Sequence, residues 1–429
     1  MNRFAPMVGA IALAALLIGC AHTHGTAPSA PTAQAQAPRE LNTALMAAAM
    51  AEQPGLMKTL ERLVNIETGT GDAEGMAAMG KLLEQELRAL GAKVTRHQPD
   101  AGVVGENIVG RIPGKGARKL LLIAHMDTVY ARGTLARYPF RVEGNRAYGP
   151  GVADDKSGIA VILHTLRLLK SQGLADHGPI TVMFNTDEER GSFGSRALIQ
   201  KLASESDMVL SFEPTSAEQE SLTLGTAGIV YYRVRVKGTA AHAGANPELG
   251  VNALAEAADI VGRTQDLDDP ARDLRFNWTI LQSGTVPNVV PDQARLEANI
   301  RYAREEDLNG LLKSLEDRIQ NRKRLDKAQI TIAPERGRPA FSTNAGGRYM
   351  VDKAVAIYRE AGATLHIVPR TGGGTDAAYA ALSGKPVIEG LGLPGFGYHS
   401  DQAEYVRVDT VPRRLYLVAR MIMDLSQGR

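Results

Sequence analysis

Apolar residues in the first half of the chain alternate between helical and strand-like spacing. Met76, Met79 and Leu83 recur on one helical face, and Gly91 follows as a helix stop. A helical pattern at 159–169 separates two of the strand-like runs. Three unbroken apolar runs have strand length and predict strands buried on both faces: 120–124, 180–184 and 208–212. This alternation predicts an α/β domain with a mainly parallel sheet flanked by helices.

The pattern changes near residue 225, where polar and apolar residues alternate as in strands with one exposed face. Such alternation occurs at 232–237 and 295–302, and helical spacing occurs at 251–263 and 307–319. The segment 225–338 therefore predicts a small α+β domain of antiparallel strands and two helices.

The first domain resumes beyond this insertion. A short strand is expected at 386–389, and helical spacing returns in three segments: 349–361, 377–382 and 412–425. A chain of 429 residues exceeds the usual size of one folding unit. We expect one domain built from 41–224 and 339–429, interrupted by the inserted domain at 225–338.

The amino terminus has the pattern of an export signal. An apolar run at 5–18 is too short to span a bilayer and is followed by Gly19 and Cys20. This order resembles the lipobox of bacterial lipoproteins, so we expect a signal peptide at 1–20, lipidation of Cys20 and an unfolded tether at 21–40. The expected location is the periplasmic side of the outer membrane. A simple secretory signal with an incidental cysteine is the alternative.

Composition excludes several classes of protein. Hydrophobic residues make up 44% of the chain and charged residues 22%, as in globular proteins. The net charge is +2, and no dense basic stretch is present, so we expect no nucleic-acid partner. Cys20 is the only cysteine, which excludes a disulfide framework and thiolate metal clusters. A metal ion would have to be bound by His, Asp and Glu.

Acidic residues and histidines cluster after the three apolar runs and in two glycine-rich loops. The carboxyl ends of strands in an open α/β sheet meet at one crevice, so these side chains are expected to converge. Imidazole and carboxylate groups suit zinc, and a bridging carboxylate can hold two ions. Five residues are nominated as metal ligands: His125, Asp154, Glu189, Glu213 and His399. Asp127 is expected to accept the second ring N–H of His125, which leaves Glu188 free as general base.

Longer motifs carry a family resemblance that runs from about residue 53 to the end. They are 63–71 (LVNIETGTG), 125–130 (HMDTVY), 149–156 (GPGVADDK), 184–195 (FNTDEERGSFGS), 211–216 (SFEPTS), 274–280 (LRFNWTI) and 371–405. The chain resembles the zinc-dependent glutamate carboxypeptidases of the carboxypeptidase G type. These belong to the wider di-zinc family of aminoacylases, desuccinylases and exopeptidases.

The resemblance implies two zinc ions per subunit and a role for each ligand. Asp154 would bridge the ions, His125 and Glu213 would complete one site, and Glu189 and His399 would complete the other. Glu188 would be the general base and Asp127 would support His125. The peptide bond between Asp154 and Asp155 would be cis.

The resemblance also implies a homodimer through the inserted domain, which would act as a lid. His242 would reach the partner subunit's active site and stabilise the oxyanion. Arg301 and Asn288 would bind the free carboxylate of a small-molecule substrate. The glycine-rich loop offers further contacts to that carboxylate through Gly373, Gly374 and Thr375. One departure is Ser221, where the characterised enzymes have a basic residue that could face the distal part of a large substrate.

The expected reaction is hydrolysis of the amide bond to a carboxy-terminal L-glutamate, in N-acyl-glutamates and in folate-type pteroylglutamates. One alternative is an aminoacylase or dipeptidase of the same family. Another is a zinc-binding envelope lipoprotein without activity, against which the base Glu188 argues, because metal storage needs no base.

Overall fold

A computed structural model describes residues 40–427, except 101, 174 and 175. The expected signal peptide, Cys20 and the tether as far as residue 39 lie outside the described residues. In the part of the chain that the structure describes, no helix has the length and apolar character needed to cross a membrane.

The described residues form ten α-helices and 21 β-strands. The helices are α1 (Thr43–Val64), α2 (Ala73–Ala89), α3 (Thr134–Arg137), α4 (Lys156–Ser171), α5 (Arg196–Ser204), α6 (Ala253–Thr264), α7 (Glu305–Gln320), α8 (Ala345–Glu360), α9 (Ala377–Ala381) and α10 (Val411–Ser426).

The strands fall in the same alternating order along the chain. They are β1 (Lys93–His97), β2 (Asn107–Ile112), β3 (Leu120–His125), β4 (Arg141–Glu143), β5 (Arg146–Tyr148), β6 (Ile180–Asn185), β7 (Met208–Ser211), β8 (Thr215–Ser216), β9 (Ser221–Thr223), β10 (Gly225–Thr226), β11 (Gly228–Lys237), β12 (Ala241–His242), β13 (Arg275–Ser283), β14 (Val289–Val290), β15 (Gln293–Tyr302), β16 (Gln329–Arg336), β17 (Phe341–Ser342), β18 (His366–Val368), β19 (Val387–Ile388), β20 (Pro394–Phe396) and β21 (Tyr405–Arg407).

The main sheet has six strands in the order β1-β2-β6-β3-β7-β19. Strands β6, β3, β7 and β19 are parallel, and β1 and β2 add an antiparallel edge. Helices α1, α2, α4, α8 and α10 contribute to the core on one face, and α5 and α9 cover the other. Because both faces are covered, the central strands are continuous apolar runs. The predicted α/β fold class is confirmed.

The inserted unit has its own sheet and its own core. Its four antiparallel strands lie in the order β13-β15-β11-β16, and α6 and α7 pack on one face. Apolar residues such as Val234, Leu296 and Leu315 fill the space between sheet and helices. Alternate residues of β11 and β15 point to the opposite face, which is polar. The expected bounds 225 and 338 flank this sheet.

A smaller five-stranded sheet, in the order β4-β5-β21-β20-β8, positions the loop that carries His399. Strands β20 and β21 form an antiparallel pair, and residues 397–404 connect them. The sequence pattern did not predict these strands because most are only two or three residues long, and such lengths show no periodicity.

Candidate active site

Three neighbouring parallel strands of the main sheet deliver candidate residues to one edge. β3 ends at His125, a 3-10 turn at Glu188–Arg190 follows β6, and Glu213 lies two residues beyond β7. Since β3 lies between β6 and β7, these side chains meet at the carboxyl edge of the sheet.

Asp154 lies between the two candidate histidines and faces each with a different carboxylate oxygen. Its Oδ1 is 2.9 Å from His125 Nε2, and its Oδ2 is 3.4 Å from His399 Nε2. Glu213 Oε1 lies 3.8 Å from the first ring nitrogen, and Glu189 Oε2 lies 2.8 Å from the second. All five nominated ligands therefore converge on two adjacent groups of donor atoms.

Glu188 lies beside the first group, with a donor atom within 4.8 Å of atoms from His125 and Glu213. Its Oε1 is 2.8 Å from a guanidinium nitrogen of Arg338, a residue for which the sequence gave no functional expectation.

The ionisable groups at this edge form a set that suits a cation. Burial raises the pKa of Glu188 and of Glu213 well above the usual range, although His125 acts against the rise. Hydrogen bonds with Asp154 and Glu189 raise the pKa of His399 to about 10. Buried carboxylates with two imidazoles are the ligand set that a pair of divalent ions prefers. Glu189 Oε1 is buried without a hydrogen-bond partner among the described residues, which also fits a metal ligand.

Asp127 supports the site differently from the expectation. The ring Nδ1 of His125 donates to the backbone carbonyl of Asp127 at 3.0 Å, whereas the carboxylate Oδ1 is 3.4 Å away. That carboxylate instead accepts the backbone N–H groups of Glu188, at 2.9 Å, and Glu189, at 3.1 Å. Thr70 donates its hydroxyl to the same carboxylate. Asp127 therefore positions the base and one ligand as well as the imidazole.

Two further carboxylates support the loop that carries Asp154. The peptide bond between Asp154 and Asp155 is cis, as the resemblance implies, and Asp155 accepts the backbone N–H of His125. Buried Glu404 accepts the backbone N–H groups of three loop residues: Gly151, Ala153 and Asp154. The sequence gave no signal for Glu404, because its partners lie about 250 residues away in the chain.

Four of the candidate ligands line a cavity of about 470 Å³: Asp154, Glu189, Glu213 and His399. Arg301 lines it together with the loop of Gly373, Gly374 and Thr375. Arg301 donates to Asn299 Oδ1 at 2.8 Å and to the carbonyl of Gly372 at 3.3 Å. Among the described residues no carboxylate pairs with this guanidinium.

Three residues singled out in the sequence do not line the cavity of this chain. His242 and Asn288 are exposed on the paired strands β12 and β14 and their loops, and neither lines the cavity. The ring Nδ1 of His242 accepts two backbone N–H groups, so in the neutral ring Nε2 carries the proton and is the donor. Ser221, the position of the departure, is buried and does not line the cavity, whereas Thr223 does.

Comparison with known proteins identifies the family. A model of the peptidase family M20/M25/M40 matches residues 121–424. The chain belongs to this family. It is 60% identical, over 99% of its length and 100% of the relative's, to carboxypeptidase G2 of Pseudomonas sp. (strain RS-16).

Solved structures of M20/M25/M40 relatives share the fold. A tripeptidase from Staphylococcus aureus aligns with a TM-score of 0.77 at 23% identity, over 88% of this chain and 99% of its own. A dinuclear metal binding peptidase of the M20 family from Bacillus subtilis aligns with a TM-score of 0.66 at 15% identity, over 89% and 100%. Membership of the family and the identity to carboxypeptidase G2 confirm the expectation of a metal-dependent hydrolase, and the described residues offer candidate ligands for a metal centre.

Proposed function

We propose that this M20 peptidase is a glutamate carboxypeptidase that hydrolyses the amide bond to a carboxy-terminal L-glutamate. The observation that carries the proposal is the guanidinium of Arg301, which pairs with no carboxylate among the described residues and shares one cavity with the candidate metal ligands and Glu188. A planar guanidinium is suited to a substrate carboxylate. The 60% identity to carboxypeptidase G2 supports the same activity and extends it to N-acyl-glutamates of folate type.

The metal centre is proposed to hold two zinc ions per subunit. Asp154 would bridge them, with His125 and Glu213 on one ion and Glu189 and His399 on the other. When bound, such ions polarise a carbonyl and bring the pKa of a coordinated water towards neutrality.

The chain's own residues would orient the substrate and move the proton. Arg301 and the N–H groups of the Gly373–Gly374 loop would bind the free carboxylate and place the scissile amide over the cluster. Glu188 would take a proton from the attacking water and deliver it to the leaving amine. Asp127 fixes the backbone that carries this base.

A homodimer through the inserted domain is proposed to complete the site. Strand β13 lies at an edge of the inserted sheet, where a second copy could pair. His242 would then donate from Nε2 to the oxygen that becomes negative in the partner's site, and Asn288 would reach the substrate carboxylate. The pattern at Cys20 supports the further proposal of a lipid anchor on the periplasmic side of the outer membrane.

The test compares leaving groups on the zinc-loaded, full-length protein. We expect glutamate release from folate and from N-benzoyl-L-glutamate, with little leucine release from N-benzoyl-L-leucine, and loss of activity with a chelator. Glu188→Gln should keep its metal and lose about 10²- to 10⁴-fold in kcat, since general base catalysis has that magnitude. Preference for leucine would instead indicate an aminoacylase, and an active Glu188→Gln enzyme would exclude Glu188 as the base.

A further inference from the structure

The cavity contains two guanidinium groups in opposite electrostatic surroundings. Arg301 donates only to neutral oxygens, at Asn299 and Gly372, among the described residues. Arg338 is 3% exposed and lies between two carboxylates, 2.8 Å from Glu188 Oε1 and 2.6 Å from Asp376 Oδ1. The first group is free to bind a substrate anion, whereas the charge of the second is already balanced.

Further hydrogen bonds fix Arg338 in place. Its Nη2 donates to the hydroxyl of Ser192 at 3.0 Å and to the backbone carbonyl of Glu188. Asp376 also accepts from the side-chain amide of Asn185 at 2.6 Å and from the hydroxyl of Ser192. The planar guanidinium therefore contacts both the backbone and the carboxylate of the base.

Arg338 also lies where the inserted domain rejoins the main domain. It follows the last inserted strand, β16, by two residues. Its carbonyl accepts the N–H of Ile229, and the N–H of Gly337 donates to the carbonyl of Ile229, both at 2.9 Å. Ile229 is in β11, the first inserted strand, so the backbone of Arg338 is held by the inserted domain while its side chain holds the base.

Ile229 of β11 is also next to Arg301, the residue proposed to bind the substrate carboxylate. Ile229 pairs with Arg301 across β11 and β15. A Cβ at Gly374, in the carboxylate-binding loop, would lie 2.9 Å from Ile229 Cδ1 and 3.0 Å from Arg338 Cδ. Arg301, the glycine-rich loop at Gly374 and Arg338 thus all lie next to Ile229 of the inserted domain.

We propose that Arg338 is a positioning residue that orients the carboxylate of Glu188 and links that orientation to the contact between the inserted domain and the main domain. This inference rests on the proposed function. Arg338 holds Oε1 of the base, so that Oε2 is left to take the proton. Contacts run from Arg301 through its cross-strand partner Ile229 to Arg338, and from there to the base.

A role for Arg338 in binding the substrate carboxylate predicts a different result. A substrate anion would have to displace Glu188 or Asp376 from the guanidinium, which would leave a buried carboxylate unpaired. Substitution of a substrate ligand raises KM, whereas substitution of a residue that orients the base lowers kcat.

The experiment compares Arg338→Met and Arg338→Lys with Arg336→Met, on N-benzoyl-L-glutamate. Arg336 is on the same segment but pairs at the surface with Glu305, so its variant controls for loss of an arginine. For Arg338→Met we expect kcat to fall about 100-fold, the scale of a misplaced reacting group, with KM changed less than about threefold. Metal content should stay at the wild-type value. Arg338→Lys, or guanidinium added to Arg338→Gly, should restore part of the lost rate.

A double-mutant cycle separates positioning from a merely structural role. If Arg338 acts through the base, Arg338→Met should have no further effect on the residual kcat of Glu188→Gln. Additive losses, an unchanged kcat, or a fall explained by lost metal would overturn the proposal. If Arg338→Met does not fold, Arg338→Met combined with Asp376→Asn replaces it, since that pair leaves one fewer unpaired buried charge. Failure of the proposed function gives a different result from failure of the role proposed for Arg338, because the wild-type enzyme would then release no glutamate. In that case the double-mutant cycle would use the amide that the enzyme does hydrolyse.

Discussion

The carboxylate of Glu404 accepts the backbone N–H of Asp154 at 3.0 Å, directly behind the side chain that faces both histidines. The same carboxylate accepts the N–H of Gly151 through its other oxygen. Glu404→Gln would place the N–H group of the side-chain amide against one of these backbone N–H groups and would loosen the loop that carries Asp154. We expect zinc affinity to fall about 10- to 100-fold, as for other residues that orient ligands, with the fold retained.

Competition with a chromophoric chelator measures that affinity. The exposed Glu143, on β4, provides the matched control as Glu143→Gln. An unchanged zinc dissociation constant in Glu404→Gln would contradict a supporting role for Glu404.

Arg301 is expected to determine KM. Arg301→Met removes a charged donor from the cavity, and a hydrogen bond to a charged group contributes about 1.5–3 kcal/mol. We therefore expect KM for N-benzoyl-L-glutamate to rise about 10- to 100-fold, with a smaller change in kcat. Arg295→Met is the control, because Arg295 is on the same face of β15 and pairs with Glu297. Equal effects of the two substitutions would argue against substrate binding by Arg301.

His242 should act on the site of the partner subunit. His242→Ala and Glu188→Gln dimers are each expected to be nearly inactive. After the two are mixed and allowed to exchange subunits, heterodimers hold one intact site, so about a quarter of wild-type activity should return. Mixtures that stay inactive while mass spectrometry shows heterodimers would place His242 in the site of its own chain.

His164 should make stability depend on pH. Burial, together with the positive charge of Arg167, lowers the pKa of His164 to about 3, and its ring bonds to Glu52 and Thr59. The neutral ring is favoured in the folded state, so its contribution is fully present above pH 6.5 and is lost as pH falls below that value. Glu52 acts in the opposite direction, because burial raises its pKa.

Urea unfolding between pH 7 and pH 5, with chelator present, measures this effect. The wild-type free energy of unfolding should fall relative to that of His164→Gln by about 1.4 kcal/mol per pH unit below 6.5. The exposed His366 serves as control, and His366→Gln should follow the wild-type curve. Parallel curves for His164→Gln and the wild type would contradict the assignment.

Sequence pattern predicted the parts of the fold that depend on local order. The buried strands at Leu120–His125 and Ile180–Asn185 are continuous apolar runs because helices cover both faces of the sheet. Candidate ligands such as His125 and Glu213 could be nominated because the ends of parallel strands meet at one edge. The edge strand at Lys93–His97 was missed, since it is half exposed and its composition is mostly polar.

The supporting residues could not be predicted, because their roles come from contacts between distant segments. Arg338 meets Glu188 across 150 positions, and Glu404 meets Asp154 across 250. Arg338 stands in the sequence as a single charged residue with no motif around it, and Glu404 lies within the motif at 371–405 but shows no pattern that assigns it a role. Asp127 could be nominated from the sequence as a support for His125. That its carboxylate also accepts the backbone N–H of Glu188 could not be predicted.

Helix α1 packs against α10, and the backbone N–H of Asn42 donates to the hydroxyl of Tyr416 at 3.1 Å. The first helix of the described residues therefore packs against the last, and the hydrogen bond beside it joins residues 374 positions apart in the chain. The segment 228–336, which contains a complete core of its own, can fold while translation continues. The inserted segment therefore has a core that needs neither α1 nor α10, whereas the core of the surrounding domain needs both of these helices.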